Sequence, residues 1–253
     1  MTVRTSFHLA LAAAIAALAA ATPAHAQTIA FAGYNWDVRS GQGGPGPNTW
    51  NPSNAFVDAA GALHLKITNA NGVWQCAELT LSQRLGFGTY VFDVGSRVDS
   101  LDPSVVLGLF DYPTPDVGPD GTNEIDIEFS HWGNANNPIG NFTVWPAVAG
   151  FEPATHAFSF AQAGGQSTHR FTWTRYGVSF SSLTRLAGGN QPSFAQWTYR
   201  PTDPSAHIPQ QALPVHLNLW LFQGHAPTNG QPVEIVITGF RFTPQSQPAA
   251  ATR

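Results

Sequence analysis

Cysteine is almost missing from this chain. Cys76 is the only one, so no disulfide can form within it and stability has to come from a packed core. Cys76 itself is expected to pack as a small apolar residue rather than to act as a nucleophile. Charge is scarce as well, with 11 Lys and Arg against 15 Asp and Glu, 10% of residues in all. A nucleic-acid binder needs a basic stripe to displace counterions, and none is present; the same shortage disfavours an anionic membrane surface. Strong helix signals are absent after residue 26, and no later stretch is apolar enough to cross a bilayer. The nine histidines form no H-x-x-x-H or H-x-H pair suited to a metal. No internal repeat and no dividing linker is visible, so a single domain is expected.

The N-terminus reads as an export signal. Arg4 is followed by the apolar run Leu9–Ala21 and then by Thr22-Pro23-Ala24-His25-Ala26, whose small residues at 24 and 26 suit cleavage before Gln27. Residues 1–26 are therefore expected to be a signal peptide, 27–243 the folded domain, and the Pro-, Gln- and Ala-rich 244–253 a frayed tail. The expected location is secreted or periplasmic. Within 27–243, short alternating runs are separated by Gly, Pro, Asn and Asp: 62–68, 88–94, 105–112, 124–129, 170–174, 215–222 and 233–242. Many short strands with turn residues between them predict an all-β fold, an antiparallel sandwich of jelly-roll type. Aromatics make up 12% of the chain, with eight tryptophans. That suits a surface that stacks on sugar rings, and it equally suits a large β core.

The most informative segment is Glu124-Ile125-Asp126-Ile127-Glu128-Phe129. On an extended strand positions i, i+2 and i+4 share a face, so Glu124, Asp126 and Glu128 project together while Ile125, Ile127 and Phe129 point into the core. A one-residue slip would reverse the two sets, which locks the register. Three of only 15 acidic residues lie within five positions, and like charges on alternate positions repel. The plain reading is a solvated acidic face. The chemical one is glycosidic cleavage, which needs one carboxylate at the anomeric carbon and one carboxylic acid at the leaving oxygen. Side chains of Glu124 and Glu128 leaning inward across Asp126 can approach about 5 Å, the spacing of a retaining enzyme.

These residues resemble the catalytic strand of glycoside hydrolase family 16, whose motif reads E-x-D-x-E or E-x-D-x-x-E. The unbulged spacing is similar to that of lichenases and xyloglucan-active members. Trp74-Gln75-Cys76-Ala77-Glu78-Leu79 with Phe87-Gly88-Thr89-Tyr90, His169-Arg170-Phe171-Thr172-Trp173, and Asn218-Leu219-Trp220 resemble further family segments. The resemblance implies a β-jelly roll with a carbohydrate cleft on its concave face, Glu124 as nucleophile, Glu128 as acid/base and Asp126 as assisting carboxylate. The chain also departs from the lichenase pattern. Thr80 stands where an arginine is usual, Thr122 where a tryptophan is usual, and Phe180-Ser181-Ser182-Leu183 replaces Y-V-D-G. Thr238 takes the place of the aspartate through which members hold calcium, so neither a metal nor any cofactor is expected.

Parity adds candidates for sugar contact. Trp132 joins the acidic face if the strand continues past Phe129, although the turn 131–137 offers it an edge-covering place instead. Trp74 shares parity with Glu78, and Asn218 with Trp220; Trp145 is a further candidate, with a core role equally open. The expected partner is a polysaccharide, with neither nucleic acid nor membrane engaged after signal cleavage, and the expected state is a monomer. The reading is an endo-acting, retaining hydrolase or transglycosylase of a β-linked polymer such as a β-glucan. The alternative is a jelly-roll lectin, which needs the aromatics but not three repelling carboxylates.

Overall fold

Leu63, Leu65 and Ile67 are fully buried while His64, Lys66 and Thr68 between them are partly exposed. That is the pattern of a strand with one face on a core, and it recurs through the molecule. The computed structural model describes residues 27–185 and 193–246. The expected signal peptide, residues 1–26, and most of the expected tail lie outside the described residues.

Two large sheets face each other. The first holds, in spatial order, β1 (Gln27–Phe31), β2 (Tyr34–Val38), β8 (Ala77–Leu85), β17 (Leu213–Leu221), β10 (Val105–Asp111), β11 (Ile125–Phe129), β12 (Gly140–Val144) and β13 (Ala154–Phe158). The second runs β16 (Ser193–Tyr199), β15 (Gly177–Thr184), β14 (Ser167–Thr174), β9 (Gly88–Val94), β18 (Val233–Pro244), β6 (Leu63–Ala70) and β5 (Ala55–Val57), with β7 (Val73–Gln75) paired to β6. A separate ribbon joins β3 (Gly41–Gly43) to β4 (Asn48–Trp50). Among the described residues every pairing of these strands is antiparallel. Neighbours such as β8 and β17, or β9 and β18, are far apart in sequence, as in a jelly roll. One α-helix, α1 (Pro204–His207), spans only four residues.

The core lies between the sheets. Leu107, Leu109, Ile125, Ile127, Phe129, Leu217 and Leu219 of the first sheet share one buried cluster with Tyr90, Phe92, Phe171 and Trp173 of the second. Rings meet across the gap: Trp36 against Phe240 at 5.4 Å and Phe142 against Phe180 at 4.9 Å between centroids. Cys76 is buried, bonds the Asn48 Oδ1 at 3.3 Å, and has its thiol pushed up to about 12 by burial, which keeps it inert.

Two sequence expectations shift. The chain changes sheets at Cys76: Val73–Gln75 pairs with β6 of the second sheet, and Ala77 opens β8 of the first. The break cancels the parity between Trp74 and Glu78, and Trp74 lies opposite Asn69 on β6 rather than on the concave face. At the other end β18 runs to Pro244 and the Gln245 N–H donates to the Phe87 carbonyl at 2.9 Å, so the first residues of the expected tail belong to the sheet.

Candidate active site

Among the described residues of the first sheet, carboxylates occupy three successive cleft-facing positions at β11: Glu124 just before the strand, and Asp126 and Glu128 within it. β11 lies between β10 and β12, with Asp126 opposite Phe110 and Thr143, and Glu128 opposite Gly108 and Asn141. Regular pairing begins at Ile125, one residue later than expected, because Asn123 adopts a left-handed φ of 53° at the end of the preceding loop. The Glu124 carbonyl still accepts from the Trp145 N–H at 2.9 Å, so Glu124 stays in line with the strand.

Around these acids opens a cavity of about 540 Å³. Glu124, Asp126 and Glu128 line it, together with Trp145, Trp132, Asn218, Trp220 and Glu78. Of the sequence candidates only Trp74 is not brought there. Trp132 arrives by a route other than strand continuation. β11 ends at Phe129, Ser130 Oγ accepts the Trp132 N–H at 3.0 Å, and Trp132 turns with φ 52° to set its ring edge-on to Trp220 at 6.3 Å.

Parity was enough to find some residues that were passed over. Phe110 and Tyr112 alternate with buried Leu109 and Asp111, and His216 precedes Asn218 and Trp220 by the same period of two. All three line the cavity. No local pattern marks Arg39 or Asp120, which arrive on loops. Arg39 lies 4.4 Å over the Trp50 ring and gives its Nη1 to Glu78 Oε2 at 2.8 Å, while His216 Nδ1 meets Glu78 Oε1 at 3.2 Å. Thr80 bonds the same His216 at 3.2 Å. Thr122 is buried and bonds the Pro119 carbonyl, and the wall on that side carries Asp120, held by the Tyr112 hydroxyl at 2.7 Å.

Gly108 has a specific reason to lack a side chain. A Cβ there would collide with Asn218 Oδ1 and come within 3.2 Å of the Phe110 ring. The glycine lets Asn218 lean across β10 toward the register position of Glu128. Asn218 Oδ1, Asn141 Nδ2 and Asp126 Oδ1 are buried without a hydrogen-bond partner. Such atoms on a cleft floor are matched to hydroxyl groups, which donate and accept.

Burial works against ionisation of all three acids. It raises Glu124 to about 8, with the charges of Glu128 and Asp120 adding to it and a hydrogen bond from Asp126 opposing it. Burial and then the Glu124 charge hold Asp126 well above the ordinary carboxylate range, and burial and then Asp126 do the same for Glu128. Burial thus disfavours the charged form at all three positions, and the charge of a neighbouring acid adds to it at each. Glu78 goes the other way. Burial opposes its charge, but His216 and Arg39 outweigh that and lower it. Among the described residues no group of three or more His, Cys, Asp or Glu is placed to hold a metal ion, and no helix is long and apolar enough to cross a membrane.

Comparison with known proteins finds the same fold in β-glucanases. A Bacillus licheniformis β-glucanase matches with a TM-score of 0.62 at 22% identity, over 83% of this chain and 92% of that chain. A family 16 glycosyl hydrolase from Mycobacterium smegmatis matches at 0.60 and 21%, over 82% and 91%. A Mycobacterium tuberculosis protein described as an immunostimulatory antigen and pseudo β-1,3-glucanase matches at 0.63 and 22%, over 83% and 91%. No family model and no curated protein matches the sequence. The chain thus has the fold of the family 16 glycoside hydrolases.

Proposed function

We propose that the protein is an exported, endo-acting, retaining glycoside hydrolase of a β-linked polysaccharide such as a β-glucan. The observation that carries this reading is the row Glu124, Asp126, Glu128 on the floor of an open cavity, with burial raising the proton affinity of each so that a carboxylic acid can stand beside the attacking group. In the first step a Glu124 carboxylate oxygen forms a bond to the anomeric carbon, the glycosidic C–O bond breaks, and Glu128 gives its proton to the leaving oxygen. In the second, Glu128, now the carboxylate, takes a proton from water or from a sugar hydroxyl, whose oxygen displaces Glu124. Water gives hydrolysis and a sugar hydroxyl gives transglycosylation. Trp132 and Trp220 offer ring faces to the polymer, and Glu78, Asn218 and Trp145 complete the proposed contact set.

A lectin is the competing reading, since aromatics and amides suffice to bind sugar. It gives no reason to hold three carboxyl groups against one another out of water. The deciding experiment incubates the purified protein with a panel of β-glucans and follows reducing ends and product anomers. Release of β-anomeric ends that Glu124→Gln abolishes, with binding retained, supports the hydrolase. Binding of the same polymers without any release by the parent makes the protein a lectin.

A further inference from the structure

We propose that Trp145 is a positioning residue: its indole N–H selects which oxygen of Asp126 carries the proton, and so turns that proton toward Glu124. This deepens the hydrolase reading and takes its consequence for rate from it. Trp145 follows β12 directly and is tied twice to the acidic segment. Its backbone N–H donates to the Glu124 carbonyl at 2.9 Å, and its Nε1–H donates to Asp126 Oδ2 at 2.8 Å. The ring also rests against the turn at Gly121, where a Cβ would lie 3.9 Å from it. Backbone and side chain are therefore both held, and the indole is aimed rather than free.

The chemistry follows from what each Asp126 oxygen can do. Asp126 is buried, and Oδ1 has no donor from any fixed group. Within the protein the adjacent Glu124 carboxyl is the group that bonds Asp126 besides the indole, and two carboxyls bond only through a proton. An N–H donor prefers the carbonyl-like oxygen of a protonated carboxyl, so the indole marks Oδ2 as that oxygen and leaves Oδ1 for the proton. Asp126 then donates from Oδ1 to a Glu124 carboxylate oxygen, which stabilises Glu124 as the anion that attacks. The proton stays on Asp126 through both steps. Other groups around Asp126 are Glu124 and Glu128 on its own strand, Asp111 and Phe110 on β10, Thr143 on β12, His216 beyond Phe110 on β17, and Asp120 and Tyr112 on the loop side. None of these supplies a second donor to Oδ2, so the indole has no substitute.

The test replaces the N–H and keeps the ring. Trp145→Phe is the simple variant; incorporating benzothienylalanine at 145 preserves the bicyclic shape and lacks only the donor. The first readout does not need activity: carbon-13 NMR titration of Asp carboxyls, with the Asp126 resonance assigned through Asp126→Asn. Losing a donor to the ionised form should move the Asp126 titration upward by about half to one pH unit in both variants. The second readout is the acid limb of kcat/KM, expected to move up in step while kcat falls several-fold and KM holds. An unmoved Asp126 resonance in the benzothienyl variant overturns the proposal. So does a raised KM with unchanged kcat and acid limb, which makes Trp145 a sugar platform only. A shifted resonance in a protein that cleaves no glucan supports the positioning and defeats the hydrolase reading instead.

Discussion

Asp111 is buried with both carboxyl oxygens unpaired, and replacing it with asparagine should stabilise the protein in a pH-dependent way. Its side chain lies under the cleft floor between Val215 and Ile125, fully buried, and neither oxygen has a hydrogen-bond partner. Burial, and after it the Asp126 charge, hold its proton affinity well above the ordinary range. A carboxyl whose proton is held more tightly in the folded state than in the unfolded one makes stability fall as pH rises. The fall begins near the unfolded value of about 4 and continues until the folded value is reached, at about 1.4 kcal/mol per pH unit for one group. Asparagine has nearly the same shape and no proton to lose. The stability gap between Asp111→Asn and the parent should therefore widen by about 1.4 kcal/mol for each unit above about pH 4. For a domain of this size that is a melting-temperature gap growing by about 3–6 °C per unit. Urea denaturation at half-unit steps from pH 4 upward measures it. The neighbouring acids titrate in both proteins, so the difference isolates Asp111. A gap that is constant with pH would refute the reasoning, because it would mean that Asp111 ionises alike in both states.

Three further outcomes follow from the same geometry. The proposed mechanism requires Glu124 ionised, and burial raises it to about 8, so kcat/KM is expected to climb roughly tenfold per pH unit until about pH 8; a profile flat from pH 5 to 8 contradicts this. Gly108→Ala places a methyl group on Asn218 Oδ1, and overpacking of this kind should cost about 1–3 kcal/mol in urea denaturation and lower kcat/KM. Arg39→Met removes one of two partners from buried Glu78, whose proton affinity is lowered in the fold. The loss should be about 1–2 kcal/mol near neutrality, moderated by the exposed third of the Arg39 side chain, and it should fade as the pH drops and Glu78 takes a proton.

Much of the site was legible because it lies on strands whose period never breaks. Glu124, Asp126 and Glu128 needed only alternation, and Asn218 with Trp220 needed the same rule. Phe110, Tyr112 and His216 obeyed it too and were within reach. Parity failed for Trp74, where the chain crosses between sheets at Cys76 and the count of twos restarts. Trp132 reached the cavity although its strand stops at Phe129, because a left-handed turn and the Ser130 hydroxyl redirect it.

The amino-acid order by itself determined the all-β class, the acidic row and its face, since alternation and like-charge repulsion act between residues a few positions apart. What surrounds that row was decided only by the tertiary structure. Arg39 meets Glu78 across 39 positions and His216 meets it across 138. Asp120 becomes a cleft wall because Tyr112 holds its loop, and Trp145 reaches Asp126 from the next strand. Proton affinities belong to this second group, because they depend on how far each carboxyl is withdrawn from water and on which distant charges the folded sheets bring beside it.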